Sequence, residues 1–368
     1  MVRLLALLVL LTTARAETVD VADGEALFVH EWVEDDPRSA SGDGLGPLFN
    51  ATSCAACHNQ GGVGGAGDSS ANVELLPGRG VLHRESTHAK AWENFRTQAT
   101  TPDHHGMEFG CGTAAARFFD QFRLRFRQTP TLFGTGLLDS VSEADLLIME
   151  AASGADHPDV SGRIARDADG RPGRFGWKAQ TSTLTDFVAG ACGAELGLET
   201  RDFPQAIDPT RPKYEAPGVD LTEADVASLA AYVGSLEAPP SHADPASAGA
   251  MAFRDVGCTA CHAESVGDVR GAYTDLLVHD LGFGLADSGE SYGVRRDAVA
   301  EGAAESVEWR TPPLWGLAAS GPYLHDGRAP TLDQAIAAHD GEAAPIRDAY
   351  AALPKRDQAA LLAFLRSI

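Results

Sequence analysis

The pattern Cys-x-x-Cys-His occurs twice in this chain, as Cys54-Ala55-Ala56-Cys57-His58 and as Cys258-Thr259-Ala260-Cys261-His262. The remaining cysteines of the six are Cys111 and Cys192. In an oxidising compartment six cysteines can form three disulfides, and a C-x-x-C pair alone also suits a thioredoxin-like redox site or half of a zinc site. The histidine directly after each second cysteine favours a different chemistry. In c-type haem attachment two thiols add to the haem vinyl groups and the adjacent imidazole ligates the iron. Two covalently attached c-type haems are therefore expected. Cys54, Cys57 and His58 would hold the first, and Cys258, Cys261 and His262 the second.

The sequence around the motifs is duplicated as well. Residues 221–236, "LTEADVASLAAYVGSL", align without a gap with residues 353–368, "LPKRDQAALLAFLRSI", at an offset of 132. Apolar residues recur at three- and four-residue steps in both, which predicts amphipathic helices. Each helix lies C-terminal to a CxxCH, where a cytochrome c module places its closing helix. The run "EAPPSHADPASAG" between the halves reads as a linker. The expected fold is mainly α, with two cytochrome c-like domains. Residues 17–237 form the N-terminal domain, enlarged by insertion; 238–249 form the linker; 250–368 form the C-terminal domain.

A second block repeats with a difference that matters chemically. "RQTPTLFG" (127–134) corresponds to "RTPPLWG" (310–316), and "GRFGWKAQTSTLTDFVAGACG" (173–193) to "GPYLHDGRAPTLDQAIAAHDG" (321–341). Matching Leu184 to Leu332 makes Thr183 and Thr331 helix N-caps and sets Ala191 against His339. Iron held by His262 is thus expected to take His339 as its second axial ligand. Iron held by His58 meets an alanine, which cannot ligate, and stays open to a small oxidant. His325 and His279 are expected to act as hydrogen-bonding residues. His104 or His105 could reach the first haem as a displaceable ligand, and Met149 belongs in the core. Cys111 and Cys192 are the thiols left after haem attachment; they could pair as a disulfide, or Cys192, one residue past Ala191, could serve a redox role beside the haem. "RDADGRPG" (166–173) lacks the terminal glutamate of a calcium loop and reads as a turn.

The N-terminus has a charged start, an apolar run from Leu4 to Leu11 and Ala14-Arg15-Ala16, so residues 1–16 read as a signal peptide and the protein as periplasmic or otherwise exported. That run is too short for a ~30 Å hydrocarbon core, and no later stretch would span a membrane. The formal charge of −23 disfavours nucleic acid and anionic membrane surfaces as partners.

With these motifs the chain resembles the bacterial di-haem cytochrome c peroxidase superfamily, and within it the di-haem oxidoreductases often labelled "thiol oxidoreductase-like". The stretches that carry the likeness are "GPLFNATSCAACH", "TPTLFGTGLLD", "GRFGWKA", "WRTPPLWG" and "YLHDGRAPTLDQAI". The resemblance implies an N-terminal haem that reduces peroxide or a related oxidant and a C-terminal haem that receives electrons. It implies Trp177 as the residue between them and Glu195 as the distal acid/base. It further implies calcium held partly by carbonyls near "TPPLWG", and a small redox protein, a cytochrome c or a cupredoxin, as electron donor. Phe187 stands where the peroxidases carry a distal glutamine. His339 stands where better-known members use methionine or tyrosine, so the C-terminal haem should be the more reducing donor. The alternative is a non-catalytic electron carrier or redox sensor with both irons six-coordinate.

Overall fold

Each half of the chain is organised by one crossed pair of helices, and the two crossings are copies of each other. The computed structural model describes residues 19–76, 80–100, 124–287 and 303–368. The leader 1–16, His104, His105 and Cys111 lie outside the described residues. In the first half the helix Val21–Val29 packs on Glu223–Ser235; in the second, Ala248–Asp255 packs on Lys355–Leu365. At both crossings a glycine lets the backbones touch. A Cβ on Gly24 would lie 2.0 Å from the Ser228 carbonyl oxygen, and one on Gly249 would lie 2.1 Å from that of Ala360. Ser228 and Ala360 are equivalent under the 132-residue repeat. One turn beyond each glycine is a phenylalanine. Phe28 packs on Tyr232 at 5.3 Å and Phe253 on Phe364 at 5.5 Å, again equivalent positions.

Because the obstacle at each glycine is main chain, the neighbour cannot swing away. Gly24→Ala and Gly249→Ala should each cost about 1–3 kcal/mol through overpacking. A lowered urea midpoint at unchanged m-value would report this.

The helix starts follow local chemistry. Thr222 and Ser142 form capping boxes with Asp225 and Asp145. Thr183 caps Leu184–Ala191 and Thr331 caps Leu332–Ala338, each accepting a hydrogen bond from the third residue on. The sheets are small and antiparallel. Val73–Leu76 pairs with both Gly80–Val81 and Arg125–Arg127, and Val278–Asp280 pairs with Glu308–Arg310. "RDADGRPG" is a hairpin turn closed by the Arg166–Pro172 bridge, with the Asp167 carboxylate turned onto Asp169, Arg171 and Ser182.

Apolar packing joins residues on either side of the segment 238–249. The largest apolar cluster combines Leu27, Phe28, Leu229 and Val233 with Leu276, Leu277 and Trp315 from the second half. Met149 packs against it. A smaller cluster surrounds Phe253, Tyr273, Leu361 and Phe364. The expected linker is also shorter than its composition suggests, since Ser247 caps a helix that begins at Ala248. Among the described residues no helix is long and apolar enough to cross a membrane.

Candidate functional site

Between the two crossed pairs lies a cavity of about 390 Å³, and both Cys-x-x-Cys-His peptides line it. Cys54–Cys57 is a single helical turn ending at His58, and Cys258–Ala260 is a 3-10 turn followed by Cys261 and His262. Around them the walls are apolar: Phe28, Leu132, Val188 and Leu229 on one side, Phe253, Leu314 and Leu361 on the other. The two equivalent phenylalanines each sit 6.5 Å from the motif histidine of their own half.

Three histidines on this cavity share one hydrogen-bonding pattern. His58 Nδ1 lies 3.0 Å from the Pro130 carbonyl oxygen, His262 Nδ1 2.9 Å from that of Tyr273, and His339 Nδ1 2.7 Å from that of Ala335. A carbonyl only accepts, so the proton sits on Nδ1 and the Nε2 lone pair is left for another partner. Burial pushes the pKa of His58 and of His262 down to about 4 and lowers that of His339, so all three rings are neutral at neutral pH, as metal ligation requires. Burial acts oppositely on the thiols, raising Cys54 and Cys258 to about 12 and Cys57 to about 11. Burial thus disfavours the thiolate form that a redox pair relies on. Among the described residues no three His, Cys, Asp or Glu side chains gather to hold a metal ion. Neutral imidazoles and cysteine thiols on apolar walls fit haem.

Ala191 and His339, aligned by the repeat, both line the cavity. His279 has no nitrogen to spare: Nε2 is 2.9 Å from Asp275 Oδ2 and Nδ1 is 3.0 Å from Glu342 Oε2. These hydrogen bonds outweigh burial and raise its pKa to about 12. His325 stacks on Trp309 with ring centres 3.5 Å apart.

Beyond Ala191 the helix widens into a π-helical turn, Cys192–Leu196, which brings Glu195 to the cavity wall. Burial raises its carboxyl to about 7, partly opposed by the Asn50 hydrogen bond. Oε2 accepts from Asn50 Nδ2 at 2.7 Å, while Oε1 is shielded from solvent and has no hydrogen-bonding partner among the described residues. Asn50 is fixed in turn, donating its N–H to the Glu195 carbonyl and accepting from the Arg84 N–H. Sequence reasoning passed over Asn50, although it lies four residues before Cys54 inside a stretch already singled out. Phe187 lines the same wall and stacks on Phe175. Cys192 is buried beside Cys54, and its pairing with Cys111 falls outside the described residues.

Trp177 borders the cavity and is held by its indole N–H, which donates to the Gln128 carbonyl at 2.9 Å. Gln128 N–H donates to the His325 carbonyl, linking Trp177 to the Trp309 stack. On that stack Lys178 Nζ sits 3.7 Å from the Trp309 ring centre and donates to the carbonyls of Glu305, Ser306 and Glu308. The Thr311 carbonyl, in the segment expected to help hold calcium, instead accepts from the Thr274 hydroxyl at 2.6 Å and from the Arg310 guanidinium. That carbonyl does not fit a calcium ligand.

Known proteins resemble this chain over part of its length. One curated relative, hydrazine synthase subunit gamma of Kuenenia stuttgartiensis, is 33% identical over 109 residues, covering 24% of this chain and 31% of that protein. The chain thus matches under a third of that relative's length. Among solved structures, Kuenenia stuttgartiensis hydrazine synthase aligns at 20% identity, covering 66% of this chain and 73% of that one, with a TM-score of 0.37. A MauG-like protein associated with microbial copper homeostasis aligns at 16% identity over 62% and 89%, with a TM-score of 0.32. The sequence profile described as "Di-haem oxidoreductase, putative peroxidase" matches residues 11–123 and 110–368, nearly the whole chain. Two Cys-x-x-Cys-His peptides on one apolar cavity and a family match along both halves lead to one assignment: this chain belongs to the di-haem oxidoreductases.

Proposed function

We propose that this protein is an exported oxidoreductase that reduces peroxide or a related small oxidant at its N-terminal haem site, with electrons received at its C-terminal one. What supports the reading is the contrast at repeat-equivalent positions on the cavity wall: His339 in the second half, but Ala191, with the buried carboxyl of Glu195 beyond it, in the first. When bound through Cys54, Cys57, Cys258 and Cys261, two c-type haems supply the electron storage and the oxidant-binding iron. The chain supplies the rest. His58 and His262 offer Nε2 from rings fixed by backbone carbonyls, and His339 offers a second imidazole on one side only. Glu195 handles the proton: its carboxylate takes one from the near oxygen of hydrogen peroxide and returns it to the departing oxygen. Asn50 holds that carboxyl in place, and the apolar walls, Phe187 among them, keep bulk water away. Trp177, tied to Gln128, stands between the two sites as the electron relay. An acidic chain suits a basic cytochrome c or cupredoxin as donor, through electrostatic steering.

The spectrum of the purified holoprotein tests the asymmetry directly. One low-spin and one high-spin haem are expected in the oxidised or half-reduced state, with only the high-spin signal responding to peroxide. Two low-spin haems in every redox state, unresponsive to peroxide, would make the protein an electron carrier.

A further inference from the structure

We propose that Glu342 is a positioning residue that latches His339 onto the second haem, and that Ser161 from the N-terminal half closes the latch. This rests on the reading of His339 as that haem's second ligand. His339 ends its helix, and Glu342 follows in the next turn, Gly341–Ala343. The Glu342 carboxylate is saturated by two other elements. Oε2 accepts from the Ser161 N–H at 2.9 Å and lies 3.0 Å from His279 Nδ1, and Oε1 accepts from the Ser161 hydroxyl at 2.6 Å. His279 is itself anchored by Asp275 and sits in the strand Val278–Asp280. Arg163 joins that strand by reciprocal backbone bonds to Val278, of 3.2 and 2.9 Å. Between Ser161 and Arg163, a Cβ on Gly162 would lie 2.5 Å from His279 Cε1, so only glycine lets the segment lie flat against the imidazole.

The turn meets the same strand at a second place. Gly341 has a φ of +59°, and a Cβ there would be 2.3 Å from the Asp280 carbonyl oxygen. Arg347 fixes the carbonyl of His339 from the other side at 2.9 Å. An imidazole at a helix end would otherwise have the freedom of its loop, and ligands work only when their supports hold them to about half an ångström. The His279–Glu342 pair keeps its charges over a wide range, with His279 raised to about 12 and Glu342, through its bond to His279 and despite burial, lowered to about 2. The latch acts through geometry. Its consequence is coupling: docking of residues 161–163 and seating of His339 favour one another, so loosening either loosens the other.

Carbon monoxide binding to the fully reduced holoprotein tests this, because at the second haem it must wait for His339 to leave. Glu342→Gln should speed that slow phase by about tenfold, the scale of one charge-assisted hydrogen bond, and Ser161→Ala should speed it less. Both should weaken the low-spin signature while leaving haem content unchanged. Ser161 is exposed, so its variant reports even if Glu342→Gln assembles poorly. Wild-type slow phases and spectra in both variants would overturn the latch. His339→Ala separates the failures. If it abolishes the slow phase while the latch variants change nothing, only the latch is wrong; if it changes nothing, the ligand reading fails and the latch with it.

Discussion

Replacing Glu195 by glutamine should lower peroxide turnover by about 10²–10⁴-fold, the usual contribution of a positioned acid/base group, with both haems retained. The substitution keeps shape and removes only the ability to exchange a proton. Its effect should also depend on pH with a definite sign. The carboxyl is raised from 4.5 to about 7, so below pH 7 it is increasingly protonated and cannot accept a proton from peroxide. Wild-type activity should therefore fall as pH drops through about 7, and this limb should be absent from the residual activity of the variant. Stability moves the other way. A carboxyl that binds its proton more tightly when folded contributes stability below pH 4.5 that is lost as pH rises through about 7. A steady-state pH profile of both proteins measures the catalytic part. Unchanged turnover at every pH would remove Glu195 from the mechanism.

The second large effect concerns the other iron. His339→Met should raise the midpoint potential of the C-terminal haem by on the order of a few tenths of a volt, within the ~0.8 V over which axial ligands tune haem. Thioether donates less strongly than imidazole and so favours the reduced iron. The N-terminal haem, with Ala191 at the matching place, should keep its potential. Spectroelectrochemical titration separates the two waves, and the more oxidising second haem should pass electrons onward more slowly. A shift confined to the N-terminal wave would mean that His339 does not face the second haem.

Much of this arrangement could be read from residues near one another in the chain. The two Cys-x-x-Cys-His peptides, the helix caps at Thr183 and Thr331 and the Ala191/His339 contrast all depend on spacings of a few residues or on comparison of two copies. Local backbone chemistry decides those features, so local sequence carries them. The paired glycines Gly24 and Gly249 stand in plain view in the sequence, but a glycine inside a helix has no meaning until the partner helix is known. Asn50 and Glu195 are 145 residues apart, and Glu342 and Ser161 are 181 apart. Polar pairs of that separation leave no periodicity behind. Composition marks where the chain is irregular, not which apolar residues share a core, and Leu276, Leu277 and Trp315 pack with residues of the first half.

By itself, then, the sequence determined which side chains are available to hold two haems and that the two copies differ at one position. Tertiary structure alone decided which carboxylate stands by which histidine and what holds each in place. Burial shifts a pKa and orphans an oxygen, and both require knowing what surrounds a group on every side, information that exists only once distant segments have met.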